Sequence, residues 1–260
     1  MPAWRALALL ALLAAPAWPA PAPLKIYGME SRPISFHDGQ RADGLVVEMA
    51  QEVQRRIGNR DPIEIVPWAR ANSMATMQPN VLLLSIVKTP ERARYLRFVG
   101  PIFQTDLWGY VLRSRLEALR AKDPEWRHTR AGARRGSVFV TRARERGYDV
   151  QDELTGSDNA VRMLMAQRFD LWFEGQEIVA GALLKAGYAP SEVVPVVSLG
   201  SDLVYFAFSR GTPEPVVQAW EGAIRAMKRD GSFQKIHQRW IPHYPLPADA
   251  RPAQTPAGAQ

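Results

Sequence analysis

The chain has 260 residues, no cysteine and a formal net charge of +7. The missing cysteine excludes disulfides, thiolate metal sites, a cysteine nucleophile and a lipid-modified N-terminal cysteine. The length suits one large domain or two small lobes, and 47% hydrophobic with 23% charged residues is ordinary for a globular chain.

Residues 1–17 read as an export signal. Arg5 supplies a positive start, Ala6–Ala15 a short apolar run, and Ala15-Pro16-Ala17 the small residues of a cleavage site. That run is well short of the ~20 residues a membrane helix needs. The expected product is a soluble, periplasmic protein.

The body alternates strands and helices. Lys25–Gly28 predicts a strand, and Asp38-Gly39 a loop. Gly44–Ile57 places Leu45, Val46, Met49, Ala50, Val53 and Ile57 at helical period, with Gly58 as the stop. Ile63–Val66 predicts a strand, Trp68–Met77 a helix, and the apolar run Val81–Ile86 a central strand covered on both faces. Asp106–Leu112 and Thr129–Ala133 are further strand candidates. Ser137–Arg146 predicts a helix capped by Ser137, and Ser157–Gln167 one capped by Ser157. Phe169–Phe173 predicts a buried strand, and Gln176–Ala186 a helix stopped by Gly187. Val193–Val197 and Leu203–Ser209 predict two strands. Thr212-Pro213 starts a helix to Arg229, and Ser232–Trp240 is the last one. From Pro245 the chain is Pro/Ala-rich and predicts a loose tail over 245–260. The fold class is therefore α/β, built from βα units.

The positive charge is local. Residues 113–146 carry eleven Lys or Arg against four acids, and the rest of the chain balances at 22 against 22. A solvated arginine-rich surface and an anion-attracting face both fit. Export argues against a nucleic-acid partner.

Candidate chemistry is sparse. The histidines His37, His128, His237 and His243 share no metal-ligand spacing. No nucleophile elbow, P-loop or dinucleotide fingerprint occurs. No metal and no cofactor is expected. The informative stretch is Leu82–Pro101, where a buried strand carrying Ser85 runs into a loop with Lys88, Thr89 and Arg92. Ligands of open α/β sheets bind at such strand ends. The Arg92 guanidinium can fork onto a carboxylate, or it can pair with a surface acid. Trp68 and Phe36 can stack on a ligand, as can Trp172; packing in the core is the plain alternative for each. Arg70 offers a second anion contact or an ordinary helix surface.

The ordered set Lys25–Gly28, Asp43–Ala50, Leu84–Arg92, Phe98–Ile102, Gln167–Asp170 and Met227–His237 resembles the family 3 periplasmic solute-binding proteins of polar amino acid ABC transporters. The resemblance covers about residues 24–242. It implies a two-lobed, type II periplasmic-binding-protein fold with two crossing strands. Lobe 1 would hold 24–110 plus 204–244, and lobe 2 would hold 111–203. It also implies that Arg92 with Thr89 binds a carboxylate, helped by Ser85. Gly136-Ser137 at a helix start would meet the same anion from lobe 2. The family's acid for an amino group falls at Gly175, flanked by Glu174 and Gln176, and the loop Gly28–Phe36 has no aspartate.

The expected function is capture of a small, carboxylate-bearing solute, an amino acid or another organic acid, by a monomer. The implied partners are an inner-membrane ABC permease or a sensor domain. The alternatives are an exported enzyme resembling cyclohexadienyl dehydratases, with Glu174 as general acid, and a ligand-sensing accessory protein.

Overall fold

The computed structural model describes residues 22–251. The expected export signal and residues 252–260 of the expected tail lie outside the described residues.

In chain order the strands and helices are β1 (Lys25–Gly28), β2 (Phe36–Asp38), β3 (Arg41–Asp43), α1 (Leu45–Ile57), β4 (Ile63–Ile65), α2 (Trp68–Met77), β5 (Val81–Val87), β6 (Leu96–Leu112), α3 (Leu116–Lys122), β7 (Ala131–Arg134), α4 (Val138–Glu145), β8 (Val150–Leu154), α5 (Ser157–Met165), β9 (Leu171–Gly175), α6 (Gln176–Lys185), β10 (Val193–Ser209), α7 (Glu214–Asp230) and α8 (Ser232–Trp240). Eight strands form one sheet in the order β4-β1-β5-β10-β6-β9-β7-β8. The flanking trios are parallel inside themselves, and the long strands β6 and β10 join them antiparallel.

Two lobes follow from where those long strands change partners. Val204–Phe208 of β10 pairs with β5, whereas Leu107–Tyr110 of β6 pairs with β9. Between them Gln104–Asp106 lies opposite Ser201–Leu203, and this stretch has only the β6–β10 ribbon. The cleft between the lobes opens beside that ribbon.

The two long strands differ from their sequence reading. Gly100-Pro101 and Gly200 punctuate the chain, which splits or shortens the predicted strands. In the structure each strand runs 17 residues. Pairing between Ser209–Leu96 and Val193–Leu112 carries both through their breakers, and three register shifts in β10 absorb the irregular residues. The β2–β3 hairpin turns at Asp38-Gly39, where only a loop is predicted.

Burial explains the helices. α1 turns Leu45, Val46, Met49, Ala50 and Val53 inward and packs against α7 and α8. Gly58, at φ 72°, ends it with its N–H on the Gln54 carbonyl. On β5, Leu82 and Leu84 face the main core while Val81 and Leu83 face a second one with α2. That two-sided burial is why the strand reads as a continuous apolar run.

Three predicted caps change role. Ser137 occupies the cap position of α4, but its hydroxyl makes no capping bond. Gly156, not Ser157, precedes α5. Pro213 precedes α7, while the Thr212 hydroxyl meets that of Ser209 at 3.1 Å.

The first part of the expected loose tail is packed. Ala250 is buried, Leu246 rests on the core, and Asp249 accepts a bond from Lys228 at 2.7 Å. The chain doubles back on α7 because Lys228 and Gln234 reach it with charged and amide donors.

The arginine-rich segment is largely tied to its own lobe. Arg115 and Arg130 converge on Asp170, and Arg142 pairs with Asp202. Arg113, Arg144 and Arg146 donate to backbone carbonyls of Ser191, Val150 and Ser198. This pattern fits the surface alternative for the local charge.

Candidate functional site

Strand β5 ends at Val87, and the next turn is organised by Thr89. Its hydroxyl accepts the Arg92 N–H at 3.2 Å, and its carbonyl accepts the Ala93 N–H at 2.9 Å. The Arg92 side chain therefore folds back into the cleft. Its Nη1 donates to the Val87 carbonyl at 3.0 Å and its Nη2 to the Gly136 carbonyl of the other lobe at 3.3 Å. The guanidinium lies over the Trp68 ring, 4.9 Å from the centroid. Arg92 is only 9% exposed. Burial pushes its pKa down, and no carboxylate of the described residues stands within ion-pair distance.

The second lobe answers with strand β7 and the start of α4. Gly136 has φ +65°, a left-handed turn that favours glycine. This turn aims its carbonyl at Arg92 and at the Trp68 indole, which donates at 3.2 Å. The Ser137 N–H is spent on the Arg134 carbonyl, so that amide is not free to meet an anion as expected. The Ser137 hydroxyl is different: it is buried and has no hydrogen-bond partner.

Arg134 closes β7 and is also buried. Its Nη2 reaches Glu174 at 3.2 Å, Ser157 at 3.0 Å and, across the cleft, Ser31 at 3.1 Å. Its Nε is buried without a partner. Glu174 is fully engaged: Oε2 accepts from Arg134 and Ser157, and Oε1 accepts the Gly175 N–H at 3.1 Å. One further bridge holds the lobes, Lys185 to Glu30 at 2.8 Å.

These groups surround an inner cavity of about 70 Å³. Its polar lining comprises Ser31, Ser85, Arg92, Thr105, Arg134, Ser137 and Glu177, and its walls include Ile34, Phe103, Val138 and Ile178. Larger pockets of about 400 and 550 Å³ flank it toward Arg162 and toward Asn72 and Arg142. Trp68 borders all three spaces.

Glu177 is the residue that sequence reasoning left aside. It is buried in the first turn of α6 and accepts from the Thr105 hydroxyl at 3.0 Å. Burial raises its pKa to about 8, with Glu174 and Asp106 adding to the rise. The available signal was an acid inside the otherwise apolar run around Ile178 and Val179. Arg134 was legible only as one member of a charged segment.

The structure gathers Arg92, Ser85, Ser137 and Trp68 at the inner cavity and Thr89 at the adjoining pocket. It removes three predicted ligand contacts. Phe36 is buried against Trp240, its ring 5.9 Å away, with the Arg32 guanidinium over it. Arg70 is exposed on α2 and does not line the cleft. Glu174 serves Arg134 rather than the cavity, because a buried guanidinium needs a carboxylate. Trp172 is core, wholly buried against Tyr110. His237 is also interior, and burial pushes its pKa down to about 4. Among the described residues no group of His, Asp or Glu could hold a metal ion, and no helix is long and apolar enough to cross a membrane.

The comparisons bear on the fold and the family. A periplasmic His/Glu/Gln/Arg/opine family-binding protein from Silicibacter pomeroyi, solved with lysine, superposes with a TM-score of 0.72 at 16% identity, covering 86% of this chain and 100% of that one. A histidine kinase sensor domain similar to periplasmic binding proteins gives 0.72 at 16% identity, with 86% and 98% coverage. The ancestral amino acid-binding protein AncCDT-1, a precursor of cyclohexadienyl dehydratase, gives 0.69 at 17% identity, with 84% and 95% coverage. At these identities the likeness establishes the two-lobed, type II periplasmic-binding-protein fold. No curated protein sequence matches the chain. The model of the bacterial extracellular solute-binding proteins, family 3, matches residues 26–243, and the chain belongs to that family.

Proposed function

We propose that the protein captures a small carboxylate-bearing solute in the inner cavity and presents it, in the periplasm, to an inner-membrane permease or a sensor domain. The observation that carries this reading is the convergence on one cavity of an uncompensated charge and two unpartnered polar groups. Among the described residues Arg92 has no acidic partner, the Arg134 Nε has no acceptor, and the Ser137 hydroxyl has no partner. A carboxylate supplies acceptors to all three through charge-assisted bonds. Arg92 comes from one lobe and Ser137 from the other, so a bound anion favours the closed arrangement by its differential affinity.

Thermal-shift screening of small carboxylates tests this. A carboxylate that stabilises the wild type should lose about a hundredfold in affinity with Arg92→Ala, in line with removal of one member of a buried charged contact. An equal response from the variant overturns the assignment.

A second reading is an exported enzyme. The observation favouring it is the buried carboxyl of Glu177, with its pKa near 8, in the same cavity as Arg92. Incubation with prephenate or arogenate, followed by assay of the aromatic product, tests that reading.

A further inference from the structure

We propose that α6 carries a clasp: its face with Gly181 and Lys185 receives the loop between β1 and β2 of the first lobe and favours the closed cleft through contacts of the chain itself. Gly181, Lys185 and Arg32 line none of the three spaces around Trp68, so the clasp does not depend on what the cavity binds.

The receiving face follows from the helix. Ile178, Gly181 and Lys185 recur along α6 at spacings of three and four, which places them on one side of it. Ile178 lines the inner cavity together with Ile34 of the loop. One turn on, a Cβ built on Gly181 would stand 2.7 Å from the Arg32 carbonyl oxygen and 3.2 Å from its carbon. The obstacle is backbone, so no change of rotamer relieves it. Glycine inside a helix is less stable than alanine, and here it admits the main chain of one lobe against a helix of the other. Gly222 of α7 is a contrast, since nothing lies within 4 Å of a Cβ built there.

The loop is built to dock as a unit. The Ser31 and Ser35 main chains bond to each other at 2.7 and 3.1 Å, and the Ser35 hydroxyl donates to the Met29 carbonyl at 2.6 Å. The Arg32 guanidinium lies over the Phe36 ring, 3.4 Å from its centroid. A segment fixed in this way loses little freedom when it seats.

The bridge between Glu30 and Lys185 is prepared from both sides. The His37 N–H donates to one Glu30 oxygen at 3.1 Å, and Lys185 reaches the other at 2.8 Å. Asp158 of the second lobe holds the same ammonium at 2.6 Å. The two side chains are 41% and 36% exposed, so the pair itself is weak. It aligns the loop, and the steric fit at Gly181 sets how closely the loop seats. A closed fraction raised in this way raises the apparent affinity of any solute that bridges the lobes.

Small-angle scattering of the dialysed protein tests the clasp, with Gly222→Ala as the control. Gly181→Ala and Gly222→Ala both replace a helical glycine with a better helix former. Gly222→Ala should keep the wild-type radius of gyration. Gly181→Ala should raise it by on the order of 1 Å over the ~18 Å of a compact chain of this length, with unchanged far-ultraviolet circular dichroism. Glu30→Gln should give a smaller rise, and about 1 M salt should reproduce it in the wild type. A wild type as extended as Gly181→Ala, or a Gly181→Ala protein as compact as the control, overturns the proposal. If Gly181→Ala loses helix signal, Glu30→Gln decides: a rise supports the clasp, and wild-type compactness assigns Gly181 to packing inside its own lobe and overturns it. No carboxylate enters any of these measurements, so the reading of the inner cavity stands or falls separately.

Discussion

Arg92 and Arg134 face each other across the cleft, and the same side chain does two different things. Arg134 ends a buried strand with a carboxylate, two hydroxyls and a shared backbone turn around it. Arg92 ends a turn with two carbonyls and the face of an indole, and with no acid. Both are 9% exposed, so burial does not distinguish them. Partner charge does. A buried arginine with its own carboxylate has its charge compensated within the fold, and one without an acid leaves its charge uncompensated at the cavity.

The sharpest way to break this comparison is Arg134→Ala. It strands Glu174 in the interior, and the expected loss is about 3–5 kcal/mol, read by urea denaturation. A loss below ~1 kcal/mol would mean that the pair is surface-like and that Arg134 belongs with Arg92.

The next effect is pH dependence. Glu177 ionises near pH 8 in the folded protein against an ordinary 4.5. The folded state therefore binds the extra proton between those values, and stability falls as pH rises from about 4.5 to about 8, then levels off. The slope approaches one proton. His237 acts in the opposite sense, since its lowered pKa removes stability as pH falls from 6.5 through about 4. The difference between wild type and Glu177→Gln isolates the glutamate, and its absence would place Glu177 in contact with solvent or a cation.

The smallest effect is the most diagnostic. Arg92→Met should change the stability of the unliganded protein by less than ~1 kcal/mol, because it removes a buried cation that has no acid to leave stranded. Equal destabilisation by Arg92→Met and Arg134→Ala, measured side by side, would erase the contrast.

Some of this was legible before any coordinates. The apolar run at Val81, the period of α1, and the Thr89–Arg92 turn each carry local signals strong enough to place an element or a residue. Ser137 was recognisable as the start of α4, though its hydroxyl makes no capping bond and the residue lines the cavity. Phe36 and Arg70 misled because an aromatic or a cation near a strand end looks the same from sequence whether it faces the cleft, the core or water. The long strands β6 and β10 were under-read for a related reason. Glycine and proline are local stop signals, but seventeen residues of pairing with a distant strand override them.

The sequence by itself determined the α/β class, the chain order of its units, the two crossing segments and the arginine turn that borders the cavity. It did so because hydrophobic period and turn chemistry are local. Tertiary structure alone decided which charges are spent and which are free. Glu174 lies 40 residues beyond Arg134, and Thr105 lies 72 residues before Glu177, so no spacing reveals either contact. Burial then makes those contacts decisive, since a buried carboxylate can satisfy only the partners that the fold brings within reach.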